Sequence, residues 1–281
     1  MHITSLSRAL IATLAVGSLW GCPPPDYQEM SKGEAESGAR QAITASQASA
    51  LTSESIEIST EFTLGEGVAK GAEELADFYQ SQIPCAEVAL DAEKAQLTID
   101  HGTLDDDCVW RDRTWGGSHT ITIARNDGEG VQVEHAWTDF TQGTVVLTGN
   151  ATVTWIPGEQ SREVAHDFTW KTDRSDRVGA GTHTQRLIDP DAGISGGMLI
   201  DGDSTWGWAE DGLVWSLASN GVQMRGQDAM PQAGTYILTT PVRTITMEFE
   251  RVDDAVSKVT LTSGERSFSF NVGKSGELED G

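Results

Sequence analysis

The sequence predicts a mainly β fold: a large antiparallel meander, closed or folded over as a barrel, a sandwich or a rolled sheet, with one or two helices N-terminal to it. Three observations lead there. From residue 84 onward, short runs of alternating apolar and polar residues recur at close intervals, separated by Gly, Asp and Asn. A short echo, Gly117-Ser-His119-Thr, Gly149-Asn-Ala151-Thr and Gly181-Thr-His183-Thr, repeats at intervals of 32 residues, enough for one hairpin per unit. Helical spacing of apolar residues is confined to the first 83 residues.

The chain has 281 residues, which suits one large or two small domains with a substantial core. Hydrophobic residues make up 38% and charged residues 22%, a composition that folds. With 43 acidic against 19 basic residues the formal net charge is -24, which argues against nucleic acid or an anionic lipid surface as partner, since phosphate binding depends on clustered Lys and Arg.

Residues 1–21 read as a secretory signal: a short polar start, the positive Arg8, then an apolar stretch over 9–19. That stretch is too short for a bilayer-spanning helix, which needs roughly 20 residues. Gly21 before Cys22 resembles the lipobox of bacterial lipoproteins. The resemblance implies cleavage just before Cys22, a diacylglyceryl group on its thiol and acylation of the new amino terminus. Two or more acyl chains, at about 0.8 kcal/mol per buried methylene, would hold the protein at a membrane. Pro23, where Asp would signal inner-membrane retention, implies the outer membrane. The alternative is an ordinary signal peptide with a cysteine near its end. Residues 22–30 form a polar tether, and loss of residues 1–21, which carry Arg8 and no acid, takes the formal charge to -25.

Residues 31–83 are expected to pack on the sheet as a helical and strand segment. Over 30–55, Ala, Ser, Gln and Glu suggest a weakly amphipathic helix with Ala39, Ile43 and Ala50 on one side. Residues 56–64 alternate as a strand. A second helix is predicted over 72–83, with Leu75, Phe78, Tyr79 and Ile83 at helical spacing, Glu73 and Glu74 in its first turn, and Pro84 as its stop. The β domain, 84–281, is expected to hold strands at 87–90, 96–99, 119–123, 131–137, 144–147, 152–156, 163–170, 182–187, 213–217, 234–238, 245–249, 256–262 and 268–272.

With Cys22 lipidated, Cys85 and Cys108 remain in an oxidising compartment, and a disulfide is the natural reading, contributing on the order of 3 kcal/mol. A metal site would need four ligands, and only His101 and the acids Asp105, Asp106 and Asp107 lie nearby. A catalytic thiol is expected to stand unpaired.

The stretch from Cys85 through Gly102, Cys108 and Trp115-Gly-Gly-Ser-His-Thr-Ile-Thr-Ile, then His135-Ala-Trp-Thr-Asp-Phe and Gly149-Asn-Ala-Thr-Val-Thr-Trp, resembles a group of bacterial envelope lipoproteins of unassigned function. Pro231-Gln-Ala-Gly-Thr-Tyr and Ser267-Phe-Ser-Phe-Asn-Val fit the same resemblance. It implies a fold and a location and no activity.

Patterns that could carry chemistry fall short on their context. Gly193-Ile-Ser195-Gly-Gly197 matches a nucleophile elbow by letter, but no histidine follows His183, and residues 198–203 read as strand and turn where a helix is needed. Gly65-Glu-Gly67-Val-Ala-Lys-Gly71 is one residue too long for a dinucleotide loop, and Glu66, Glu73 and Glu74 would repel a pyrophosphate. Asp189-Pro-Asp191 and Asp201-Gly-Asp203 begin like calcium loops, yet Ile194 and Trp206 stand where the turn glycine belongs. His135 and His166 each alternate with Val and Trp or Phe on a strand face, which suits hydrogen-bonded core residues. Were their strands to pair, the two would lack a third metal ligand.

The nine tryptophans include Trp206 and Trp208 on one strand face near Trp215. Such a row either fills a thin β core or stacks on sugars. The sequence therefore points to a membrane-anchored envelope lipoprotein of structural or interaction role, with no catalytic residue, metal or cofactor. Its partners are the membrane through Cys22 and an envelope glycan or protein, with glycan binding through Trp206, Trp208 and Trp215 as the alternative and a secreted hydrolase as the remotest reading.

Overall fold

The computed structural model describes residues 29–60, 68–110, 113–126, 130–142, 145–156, 161–171, 176–192, 196–208, 214–225, 228–274 and 276–280. Among them stand two helices, α1 (Lys32–Thr60) and α2 (Val68–Gln82), followed by fifteen strands. The first eight strands are β1 (Glu87–Asp91), β2 (Gln96–Asp100), β3 (Cys108–Trp110), β4 (Arg113–Asn126), β5 (Gly130–Thr141), β6 (Val146–Ile156), β7 (Ser161–Lys171) and β8 (Asp176–Leu187). The rest are β9 (Met198–Trp208), β10 (Val214–Met224), β11 (Ala233–Thr239), β12 (Thr244–Arg251), β13 (Val256–Ser263), β14 (Arg266–Gly273) and β15 (Leu278–Asp280). Each strand pairs antiparallel with its neighbours in chain order, except that β3 pairs only β4 and β2 therefore meets β4 directly. The sheet is a rolled meander that does not close.

α1 begins at a capping box. The amide of Glu34 donates to the Ser31 hydroxyl at 3.3 Å, and the amide of Ser31 donates to the Glu34 carboxylate at 2.8 Å. From Ala48 to Ile56 almost every described side chain of this helix is buried, so it is covered on all sides and not only along one stripe. Small side chains make this affordable: Ala35, Ala39 and Ser46 are fully buried, and Gly38 brings the helix backbone to the sheet, where an added Cβ would stand 3.0 Å from Leu261 Cδ2. Buried hydroxyls bond to the helix's own carbonyls, Thr52 to Ala48 at 3.2 Å and Ser55 to Thr52 at 2.8 Å, so they need no partner from the sheet.

The contacts of α1 give the curvature. Gly38 meets Leu261 on β13, and 17 residues later Ser55 accepts a hydrogen bond from the Trp137 indole of β5 at 3.1 Å. Eight strand steps separate β5 from β13, about 38 Å along the sheet. The helix rises only about 26 Å over the same 17 residues. A longer path along the sheet than along the helix means that the sheet bows around α1, which lies across the strands on the concave face.

The 32-residue echo supplies part of the bend. Gly117, Gly149 and Gly181 lie on β4, β6 and β8, one per hairpin, as the sequence anticipated. Cβ atoms added there would stand 2.2, 2.2 and 2.5 Å from the carbonyl oxygens of Asp139, Asp167 and Asp203 on the following strand. Adjacent backbones therefore overlap where only glycine fits, the device by which a sheet is coiled sharply. A bulge beside Gly117 on β4 and another at residues 220–223 of β10 add to it.

α2 covers the β1, β2 and β4 end of the sheet through Leu75 and Tyr79, both buried. A disulfide joins Cys85, in the turn after α2, to Cys108 of β3, with Cα atoms 5.3 Å apart. It fastens the helical segment to the β3 and β4 hairpin, beside a packed group of Trp110, Trp115, Phe140 and His101.

Three expectations change. Residues 56–60 continue α1 and do not begin a strand, because Ile56 is buried against the sheet and the alternation of Ile with polar residues is equally a helix edge; residues 61–64 lie outside the described residues. The runs at 144–147 and 152–156 are one strand, β6, which passes through Gly149 without turning. Asp201-Gly-Asp203 is the middle of β9 and not a turn, since Gly202 serves as a close-approach position against the Thr182 carbonyl.

The overlap at Gly149, where φ is +151°, makes a clear prediction. Gly149→Ala should lower unfolding free energy by about 2 kcal/mol or more, because the methyl meets immovable backbone. Gly33→Ala in α1, where an added Cβ meets nothing within 4 Å, should be neutral or slightly stabilising. Urea denaturation of the two variants measures both, and equal losses would refute the coiling role of Gly149.

Candidate functional site

The concave face carries the chemistry-bearing side chains of the β domain. Alternation on β4, β5, β7, β8 and β9 sends His119, His135, His166 and His183 inward, towards α1, along with the aromatic residues Trp137, Phe168 and Trp206. The outer face is polar, with cross-strand hydroxyl pairs such as Thr98 with Thr120 and Thr260 with Ser269.

Two histidine pairs form, neither of them the pair weighed from the sequence. β6 runs between β5 and β7, so Ala151 separates His135 from His166 in the cross-strand register. His135 instead meets His119, with Nδ1 of the first 2.9 Å from Nε2 of the second and the rings stacked. One hydrogen occupies that contact, so the two rings cannot both be cations without opposing N–H groups. Burial, then the neighbouring charges of His135 and His101, holds His119 well below the usual imidazole range. Burial, with the Arg162 cation secondary, pushes His135 down to about 3. His166 stacks on His183 with centroids 4.9 Å apart, and burial followed by the charge of His183 takes His166 down to about 4.

Beside the second pair, between α1 and the middle strands of the sheet, lies a cavity of about 80 Å³. Small residues face each other across it, Ala48 and Ser49 from the helix and Gly179, Ser204 and Ser219 from the sheet, so the two surfaces do not fill the space. His166, His183, Trp170 and Trp206 complete its aromatic wall. The indole N–H groups of Trp170 and Trp206 are buried and have no hydrogen-bond partner. This site was invisible in the sequence, because its wall on one side is a helix whose register against the sheet no local pattern fixes.

Trp206, Trp208 and Trp215 come together as the sequence expected, at the concave-side ends of β9 and β10. Trp206 is buried at 4% exposure, while Trp208 and Trp215 are half-buried. The rings of Trp208 and Trp215 meet edge to face at 4.5 Å, and the Arg177 guanidinium lies 4.0 Å over Trp208. Arg177 was not singled out from the sequence; its cross-strand pairing with Trp208 explains the contact.

The acidic side chains of these stretches are engaged in hydrogen bonds within the fold. Asp189 Oδ1 accepts from the Asp191 amide at 3.1 Å, Asp201 Oδ1 from the Gly221 amide at 2.6 Å, and Asp106 from the amide and hydroxyl of Thr103. Among the described residues no three His, Cys, Asp or Glu side chains converge on a metal position. Residues 193–195 of the elbow-like stretch lie outside the described residues, and strand β9, not a helix, follows Gly197. Residues 61–67 also lie outside them, and among the described residues the element before α2 is helix α1.

The buried imidazoles predict acid sensitivity. An unfolded histidine binds a proton near pH 6.5, whereas His135 and His166 bind theirs only near 3 and 4. The unfolded state therefore takes up protons first, so stability is full above about pH 6.5 and is lost as pH falls towards 4, by about 2 kcal/mol per histidine at pH 5. Urea midpoints measured between pH 7.5 and 4.5 should fall steeply below 6.5, and less so in His135→Gln. A flat profile over that range would contradict the burial of these rings.

Neither a family model, a characterised protein nor a solved structure matches this chain.

Proposed function

We propose that the protein is held at the outer membrane of a bacterial envelope by lipid on Cys22 and acts there without catalysis, as a structural or interaction module. Cys22, like all of residues 1–28, lies outside the described residues. The observation that carries the reading is Gly21-Cys22 at the end of the apolar run, with the folded body beginning a few residues later. Glu29 pairs with Arg266 at the start of β14, its carboxylate 2.7 Å from Nε. Seven residue steps from Cys22 to Glu29 reach at most about 25 Å, so a lipid at Cys22 keeps the β14 side of the roll close to the membrane surface. A non-catalytic role accords with the position of α1 on the concave face, where a curved sheet would otherwise offer an open cleft.

Cys22→Ala should move the protein from the membrane to the soluble fraction on cell fractionation, and intact mass of the wild type should show diacylglycerol and the loss of residues 1–21. Membrane association unchanged in the variant would overturn the anchor.

A second reading, glycan binding by tryptophans, is favoured by Trp208 and Trp215 standing half-buried beside the Arg177 guanidinium. It expects the intrinsic fluorescence to change saturably on titration with peptidoglycan fragments or neutral oligosaccharides, and a Trp215→Ala variant to lose that change. A titration without response across such a panel removes it.

A further inference from the structure

We infer that Arg177, Trp208 and Trp215 form a binding site for a carboxylate carried on a small ring, the guanidinium taking the anion and the indoles the flat face of the ring. One imbalance carries the inference: a cation is buried here without an anion. Arg177 is 9% exposed, and its guanidinium lies 4.0 Å over the Trp208 ring with no carboxylate and no hydrogen-bond acceptor beside it among the described residues. Burial lowers its pKa with no acid acting in the opposite sense, and the side chain still carries its charge at pH 7. Buried charges in folded proteins are normally paired, because desolvation without a partner is costly.

The cross-strand register makes the surroundings aromatic. Arg177 pairs with Trp170 on β7 and Trp208 on β9, and the next inward position of β8 is Gly179, which faces Phe168 and Trp206. Trp215 of β10 pairs with Trp206 and meets Trp208 edge to face. Asp176, the neighbour of Arg177 in sequence, alternates to the other face of the sheet. The site is nevertheless open to solvent. Of the guanidinium nitrogens Nη1 is sealed and unsatisfied, whereas Nε and Nη2 are neither sealed nor hydrogen-bonded. Those two share one edge with parallel N–H groups, the edge that matches both oxygens of a carboxylate. Trp208 and Trp215 are half-buried, so part of each ring also reaches solvent, where the flat face of a ligand ring stacks. The glycan reading uses the same tryptophans, but the requirement here is for the anion, and the ring that carries it is a sugar or an arene.

The test is a titration of the whole mature chain, 15N-labelled at tryptophan and observed through its indole N–H resonances, with Trp208 and Trp215 assigned by Trp208→Phe and Trp215→Phe. Two pairs of probes differ in charge at constant ring: methyl β-glucuronide against methyl β-glucoside, and benzoate against benzyl alcohol. At least one carboxylate should shift both resonances saturably and bind at least about 10-fold more tightly than its neutral counterpart. Arg177→Met should bring that carboxylate down to the affinity of the neutral probe and leave the neutral probe unchanged. A response to the glucuronide alone identifies a sugar acid as the ligand class. Benzoate binding with no response to either sugar identifies an aryl acid and removes the glycan reading. Equal binding of charged and neutral rings overturns the inference, and the glycan reading survives it if the glucoside binds. No saturable shift with either carboxylate also overturns it. If Arg177→Met does not fold, the comparison of charged and neutral probes on the unaltered chain still decides.

Discussion

The close approach of a helix built from small side chains to the inside of a curved sheet is the constraint on which the rest of the molecule depends. Gly38 and the alanines of α1 let the helix axis come near the strands, and the glycines of β4, β6 and β8 let the strands coil enough to follow it. Either condition alone would fail. A flat sheet would leave the far strands out of reach of α1, and a helix of bulky residues would hold the sheet open. The hydroxyls of Thr52 and Ser55 show how a polar sequence tolerates this position: their bonds to the helix backbone make a Ser- and Thr-rich segment behave as an apolar one.

The same constraint produces both features that could matter functionally. Where small residues of the helix meet small residues of the sheet, packing leaves the cavity beside His166 and His183. Near the end of the helix, where Ser55 meets Trp137, the side chains of the sheet interior are buried, and the His119 and His135 rings share one hydrogen bond there. The histidines thus differ in surroundings although all sit on one face. The first pair is sealed in the core, and the second borders open space.

Most of the sheet was legible because strand signals are local. Period-two alternation located the strands, and the 32-residue spacing marked the hairpins, since a meander places sequence neighbours side by side. The cysteine pairing was legible for a similar reason, from an even pair within a short separation. Legibility ended where the structure depends on distant segments. Residues 56–60 carry an alternating pattern that satisfies strand and helix alike, and only burial against the sheet decides between them. Gly149 and Gly202 read as turns because glycine usually marks one, yet they lie mid-strand, where a neighbouring backbone occupies the space of a side chain. The capping box of Ser31 and Glu34, which the reading of the sequence missed, fixes the start of α1. The Trp206, Trp208 and Trp215 cluster was placed correctly as a group, while its depth depends on the curvature that no single strand records.

The position of α1 also imposes an order on how the chain acquires its structure. Nearly every strand finds its partner within one hairpin, and hairpins of this kind close in about 1–10 μs. α1 is different, because Gly38 and its neighbour Leu261 are 223 residues apart. A solitary helix rich in Ser and Thr is marginal in water, so the N-terminal half of this segment lacks its β13 partner until the last third of the chain has appeared. The roll is therefore completed only when its late strands meet its earliest helix, and truncation before β13 would leave Gly38 and its neighbours on α1 without their strand partner.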